Sequence, residues 1–234
     1  MILLLAPSGH PLRDLLPQAL DAGSFGSELL SIDPAAADDL EVVLRSEGGE
    51  IQGQLETNGR ICHWHELRGA WSALDSAPAP GSPCELLIQG LDLTPIPVVG
   101  RPSVVENLQS SRRLDECARA AGLGAKNAAT HAKAPARRTA SIWCGHTEFH
   151  GTSEALRPWL PQVGSLTECL GMIWGRIDFR ELPAGPPQVL SATEDAPLPH
   201  SIDELSGPQR NALFALVERF QHGQLHAMPR ESRG

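Results

Sequence analysis

LGMIWGRIDFR (170–180), followed after the turn-rich interval ELPAGPP by QVLSATEDAPLP (188–199), is the stretch on which the reading of this chain turns. Residues 173–179 and 188–190 are apolar-rich runs separated by proline and glycine, which predicts two strands joined as a β-hairpin. Asp178 stands on the first strand. Ser191 and Thr193 follow on the line of the second, with Glu194 and Asp195 next, and the chain breaks at Asp195, Pro197 and Pro199. One acid on the first strand, answered by two hydroxyl residues on the second, is the feature that the rest of the sequence has to explain.

Working outward, residues 2–6 form a continuous apolar run, and Leu12, Leu15, Leu16, Ala19 and Leu20 recur at helical spacing before Gly23. Pro17 lies inside that pattern as a kink or delay. With a second strand at 28–32 the opening reads as βαβ, which predicts parallel pairing through a right-handed crossover. Residues 39–45 and 51–56 flank EGGE as a hairpin. A strand at 61–65 puts Cys62 and Trp64 on its core side and His63 and His65 on the other. APAPGSP (77–83) reads as an exposed turn or linker, and 97–99 as a short strand leading into GRPS. Ser103 with Glu106 is a capping-box pattern for a helix running to Ala121 and stopped by Gly122. The small, basic stretch 125–138 reads as a loop or linker, and 141–149 is strand-like. Ser165 with Glu168 suggests a second capping box, over a helix ending near Gly171. Ser206 caps a last helix whose buried face is Leu213, Leu216, Val217 and Phe220, with Gly223 at its end. There are no internal repeats.

Composition narrows the function classes. Hydrophobic residues make up 41% of 234, enough for a sizeable core. A net charge of −9 argues against broad nucleic-acid or anionic-membrane binding, so neither partner is expected. No apolar run approaches the ~20 residues that span a bilayer. MILLLAP is too short for a signal peptide, and a cytoplasmic location is expected. Five cysteines, odd in number and without C-x-x-C, are expected as reduced thiols. Of 19 basic residues only Lys126 and Lys133 are lysines, which leaves little for gripping nucleotide phosphates.

The order of these pieces resembles the ATP-grasp ligase family, most closely its peptide-modifying and ribosomal-protein-glutamate-ligase-like branch. PVVGRPS (97–103), the helix end ARAAGL (118–123), LGMIWGRIDFR (170–180) and the closing amphipathic helix carry the resemblance, which covers most of 1–123 and about 155–221. It implies an α/β fold: an N-terminal βαβ-type domain (1–100) ahead of an ATP-grasp core (101–223), with a flexible tail (224–234). In the family the hairpin holds magnesium with an acid on its first strand and Glu-x-Asn-Pro on its second. Asp178 matches the acid, whereas Ser191 and Thr193 stand in the Glu and Asn places. The family's nucleotide-binding subdomain should follow 118–123, yet only 47 residues separate Gly124 from Leu170 inclusive, and SIWCGHTEF (141–149) resembles at most a remnant strand pair of it. The implied core is a reduced α+β remnant lacking most of that subdomain.

Phosphoryl transfer to a carboxylate requires positioned magnesium and cationic side chains. A chain lacking both is expected to be a degenerate relative that does not act alone. The expected role is noncatalytic binding of a peptide, a protein or an active full-length ligase partner, in peptide natural-product biosynthesis, with self-association as a further expectation. No cofactor is expected for that role; ATP and magnesium would enter only with a partner. One alternative is a subunit of a composite ATP-dependent carboxylate-amine ligase using Asp178 and Glu194, where Ser191 and Thr193 are remnants. Another is a zinc-binding enzyme through Cys144, His146 and His150, a C-x-H-x3-H pattern of borderline ligands; the bland reading of that trio is a buried cysteine and two surface histidines beside a turn. Arg137 and Arg138, in a basic run with His131 and Lys133, and Trp143 are candidates for contacting a partner.

Overall fold

A parallel sheet with both faces covered explains why the first strand is apolar throughout. β1 (Ile2–Leu5) is fully buried. It leads through α1 (Leu12–Ala22), which contains Pro17 without ending there, to β2 (Leu29–Ile32). β3 (Glu41–Glu47), β4 (Glu50–Thr57) and β5 (Arg60–His63) form a three-stranded antiparallel sheet, followed by β6 (Gly69–Ser72), α2 (Pro83–Leu93) and β7 (Val98–Val99). The parallel sheet runs β2-β1-β6-β7, with Ile2 opposite Leu29 on one side and Gly69 on the other. The computed structural model describes residues 1–47, 50–74, 77–126, 139–182 and 185–222. The chain divides into two compact units, one of Met1–Pro102 with the segment from Val217, the other of Ser103–Leu216.

In the first unit the antiparallel sheet alternates cleanly. Leu55, Cys62 and the half-buried Leu44 face a core shared with Leu87, Ile88 and Leu91 of α2, while Val43 and Ile61 face solvent. Arg101 organises the end of α2. Its guanidinium donates to the carbonyls of Leu91 and Asp92 at 2.7 Å, of Thr94 at 2.9 Å and of Ile96 at 2.5 Å. Leu91 O also accepts from Thr94 Oγ1 at 3.0 Å, and one planar fork ties the last turn of the helix to the segment that follows it.

The second unit comprises α3 (Pro102–Gln109), α4 (Ser111–Ala120), β8 (Thr139–Gly145), β9 (Glu148–His150), α5 (Leu160–Leu170), β10 (Trp174–Arg180), β11 (Gln188–Thr193) and the start of α6 (Gly207–His222). Its sheet is antiparallel, ordered β11-β10-β8-β9. Ile142, Cys144, Ile177, Phe179 and Val189 face a core with Leu114 and Ala118 of α4 and Val163, Leu166 and Leu170 of α5. The two glycines of LGMIWG have separate backbone reasons. Gly171 ends α5 in the left-handed conformation, φ 73°. Gly175, φ 129°, admits the Thr193 carbonyl of β11 to within 2.1 Å of where a β-carbon would stand.

The βαβ opening, the EGGE hairpin, the 170–199 hairpin and the Ser206-capped last helix form as the sequence predicts. Ser206 Oγ and backbone N pair with Gln209, and Leu213, Leu216, Val217 and Phe220 are fully buried. Four expectations are corrected. Residues 64–66 leave the strand as a 3-10 turn, with His63 and His65 exposed and Trp64 buried as read. The predicted helix from Ser103 to Ala121 is two helices, because Ser110 takes an extended conformation and caps the second by accepting from Arg113 N at 3.2 Å. Ser165 is no cap: it lies inside α5, its hydroxyl bonded back to Pro161 O at 3.3 Å. Cys117 and Cys169, expected as free thiols, are joined as a disulfide between α4 and α5, while Cys62, Cys84 and Cys144 stay unpaired and buried. Helix α2 and strand β6 were not anticipated, although SPCE (82–85) has the capping-box pattern: Ser82 Oγ accepts from Glu85 N at 3.2 Å, while the Glu85 carboxylate accepts from Gly81 N. Among the described residues no helix is long and apolar enough to cross a membrane.

Arg101→Ala should lower unfolding free energy by about 3 kcal/mol, since four charged hydrogen bonds to main-chain carbonyls are lost together. Arg101→Lys should recover less than half, because an ammonium cannot reproduce the fork; urea midpoints at constant m-value measure both. Gly175→Ala combines a disfavoured φ with a main-chain clash and should cost at least as much, about 3 kcal/mol. The readout is a urea titration followed by the fluorescence of Trp174.

Candidate functional site

The site grows from the period of two in β10. Ile177 and Phe179 point into the apolar core, so Arg176, Asp178 and Arg180 share the opposite face, each half-buried. Register brings the neighbours in. Asp178 lies opposite Ser141 of β8 and opposite Ser191 of β11, and Arg176 lies opposite Thr193. A bulge between Asp178 and Phe179 shifts the pairing, so that Phe179 meets Val189 while Asp178 meets Ser191. Asp178, Ser191 and Thr193, singled out from the sequence, are thus gathered on one sheet face.

Their chemistry is that of a satisfied carboxylate. Ser141 Oγ donates to Asp178 Oδ1 at 2.6 Å and Ser191 Oγ donates to Oδ2 at 2.7 Å. Arg176 donates from Nη2 to Oδ2 at 3.3 Å, and its Nε lies 3.2 Å from Oδ1 as an ion-pair contact without hydrogen-bond alignment. Both oxygens are therefore engaged, and a guanidinium balances the charge. Thr193 turns its hydroxyl to the main chain, accepting from Asp195 N at 3.0 Å. Magnesium is held by one or two carboxylates with free oxygen lone pairs, waters and substrate phosphates completing its six ligands. The face offers one carboxylate, already paired, and neutral hydroxyls, so the residues present do not fit magnesium. Among the described residues no three of His, Cys, Asp and Glu are grouped to hold a metal ion. Ser141, Arg176 and Arg180 were missed in the sequence. Arg176 and Arg180 were legible by alternation from Asp178, whereas Ser141 depends on a long-range register.

Glu194 falls elsewhere. The alternation that sets Ser191 and Thr193 beside Asp178 turns Glu194, 9% exposed, to the other face, near Cys144. Burial, and secondarily the Glu194 charge, push the Cys144 thiol up to about 12. Its sulfur donates to His146 O at 3.2 Å. His146 sits in the turn after β8 with φ 58°, and its N–H donates to Ile173 O at 2.6 Å. His150 is opposite Trp143 and therefore on the face away from Cys144, with Glu148 3.4 Å from its Nε2. The three suggested zinc ligands do not converge. Trp143, expected at a partner surface, is 7% exposed and packs against Trp174 at 5.8 Å between ring centroids. Arg137 and Arg138, with His131 and Lys133, lie outside the described residues.

A shallow cleft of about 150 Å³ adjoins the face, between α4 (Ser111, Leu114, Asp115) and β11 (Leu190, Ser191, Ala192), with Leu108 and Lys126 at its margins. Buried Asp115 accepts the Lys126 main-chain N–H at 2.9 Å. Gln188 donates its side-chain amide to Ala125 O at 2.8 Å and to Lys126 O at 3.2 Å. Lys126 is thereby tied by its backbone to both walls.

No protein-family model and no curated protein matches the sequence. Solved structures match in fold. Macrocyclase MdnC from Microcystis aeruginosa, bound with precursor peptide MdnA, superposes with a TM-score of 0.65 at 13% identity over 95% of this chain and 99% of that one. Macrocyclase MdnB from the same organism gives 0.62 at 14% identity over 92% and 98%. A Chryseobacterium gregarium RiPP-associated ATP-grasp ligase, in complex with ADP and a leader and core peptide, gives 0.63 at 11% identity over 93% and 95%. At these identities the likeness is one of fold: this chain is built on the α/β scaffold seen in peptide-modifying ATP-grasp ligases.

Proposed function

We propose that this chain is a degenerate, shortened ATP-grasp-like protein that binds a peptide, a protein or an active ligase partner and does not itself transfer phosphate. The observation that carries the reading is the Asp178 carboxylate, matched by Arg176 and two serine hydroxyls where a ligase of this fold would place a metal. The scarcity of lysine supports it, since phosphoryl transfer needs cationic groups on the leaving and transferring oxygens. A peptide as ligand is supported by the neighbours of the same fold, which are described with precursor, leader or core peptides. In this reading residues 1–100 are the pre-ATP-grasp domain and 101–223 the reduced core, acting in peptide natural-product biosynthesis. A homo-oligomer or a full-length ligase is the expected partner, and the protein works in the cytoplasm.

The composite-ligase reading, with ATP and magnesium held only alongside a partner, requires a second acid beside Asp178. Glu194, on the other face, does not supply it. Restoring the ligand set tests the proposal. The wild-type protein should show no saturable heat with Mn2+ or with ATP and Mg2+ up to about 1 mM, whereas Arg176→Ala combined with Ser191→Glu and Thr193→Asn should bind Mn2+ at least about ten-fold more tightly. Saturable binding of ATP and Mg2+ to the wild-type chain, lost in Asp178→Asn, would overturn the reading.

A further inference from the structure

The cross-link between α4 and α5 sits directly behind the cleft. Cys117 is two residues beyond Asp115, on the buried side of the same short helix, and its sulfur is bonded to that of Cys169 near the end of α5. Cys117 is 1% exposed, while Cys169 is only partly buried. The remaining three cysteines are unpaired and buried, and desolvation pushes the thiols of Cys62 and Cys144 up to about 11 and about 12. Thiol chemistry is thus confined to one pair, of which Cys169 is the partly exposed residue.

That pair is placed to act on the cleft. α4 supplies one wall through Ser111, Leu114 and Asp115, and Asp115 fixes the Lys126 main chain, which Gln188 of β11 holds from the other side. Gly124 continues the tie, donating to Pro187 O at 2.9 Å and accepting from Val189 N at 2.8 Å. α4 has ten residues, too few to be stable without tertiary support. Its covalent anchor to α5 closes a loop spanning 52 positions. Without that anchor α4 is held by packing, by its Ser110 cap and by the Asp115 contacts.

We infer that Cys117–Cys169 is a reversible disulfide that sets the order of α4 and, through Asp115 and Lys126, the shape of the cleft beside Ser191, making this surface responsive to thiol–disulfide poise. The exchange partner is a small-molecule or protein dithiol. Its thiolate attacks the sulfur of Cys169, the more exposed residue of the pair; the S–S bond breaks and Cys117 leaves as a thiolate that takes up a proton. A second thiolate then attacks the external sulfur of the mixed disulfide, releasing Cys169 as its thiol. The donor is oxidised to its disulfide and the protein disulfide is reduced to two thiols. The inference stands independently of whether the Asp178 face holds nucleotide.

The full-length protein is equilibrated in buffers of reduced and oxidised dithiothreitol from fully reducing to strongly oxidising, acid-quenched, unfolded and alkylated, and its mass is measured. Five modified cysteines are expected at the reducing end and three at the oxidising end, with peptide mapping placing the change at Cys117 and Cys169. Hydrogen exchange on the same samples should be faster by about ten-fold or more in the reduced state across 111–126 and 188–192, with β1 and β6 unchanged. Cys117→Ser and Cys169→Ser should each show the reduced exchange pattern at every poise; if one variant fails to fold, the wild-type comparison still decides. An alkylation count that never changes with poise, or exchange over 111–126 and 188–192 that is the same in both redox states, would overturn the inference.

Discussion

Strand alternation in β10 fixes what the candidate site can be. Because Ile177 and Phe179 must be buried in the core of α4 and α5, Arg176 and Asp178 are obliged to share the other face, close enough to pair. The hydroxyls of Ser141 and Ser191 then complete the carboxylate from the strands on either side. None of these groups can be moved separately. A one-residue slip would put the charges into the apolar core and the phenyl ring of Phe179 into the place of Asp178. The Gly175–Thr193 approach and the bulge after Asp178 hold that register, so the polar face follows from how the hairpin packs.

Charge balance is the ground on which the proposed noncatalytic reading of this face rests. A carboxylate ligating a divalent ion keeps oxygen lone pairs directed at it, and its neighbours add negative charge. Here the counter-ion is covalently part of the strand, two residues away, and does not dissociate. A guanidinium directs hydrogen bonds in a plane and cannot coordinate a triphosphate and a carboxylate together as a metal does. The fold is that of a ligase scaffold, but fold is a weak guide to chemistry, and the side chains on the sheet face decide.

What could be read in the sequence was what short-range patterns encode. The apolar first strand, the helical spacing at 12–20, the stops at Gly23, Gly122 and Gly171 and the alternation at 173–179 became the expected elements, because local periodicity and the global core agree on them; the stop expected at Gly223 lies outside the described residues. The failures are cases where one local signal had a nearby competitor. Ser103 looked like a helix cap, yet Ser110 interrupts the helix and begins another. Ser165 with Glu168 mimicked a capping box inside a helix already started at Leu160. Helix α2 was hidden because the proline-rich APAPGSP was taken as linker, though Ser82 at its end is a cap. The cysteine pair and the contribution of Ser141 depend on contacts between residues far apart in sequence, and no window of local pattern contains them.

The last helix gives the chain a timetable. Phe220 packs against Gly69, its ring within 2.2 Å of the place a β-carbon would take, and Gln221 accepts from Ser27 Oγ through its side chain at 2.8 Å and from Arg68 through its main-chain carbonyl at 2.8 Å. The first unit therefore contains residues from both ends of the sequence, whereas the second is one uninterrupted stretch. The N-terminal sheet, begun first, receives this covering only from the last helix. The unit that starts earliest in synthesis is thus the later to be completed, and the apolar surface around Gly69 stays uncovered until Phe220 arrives.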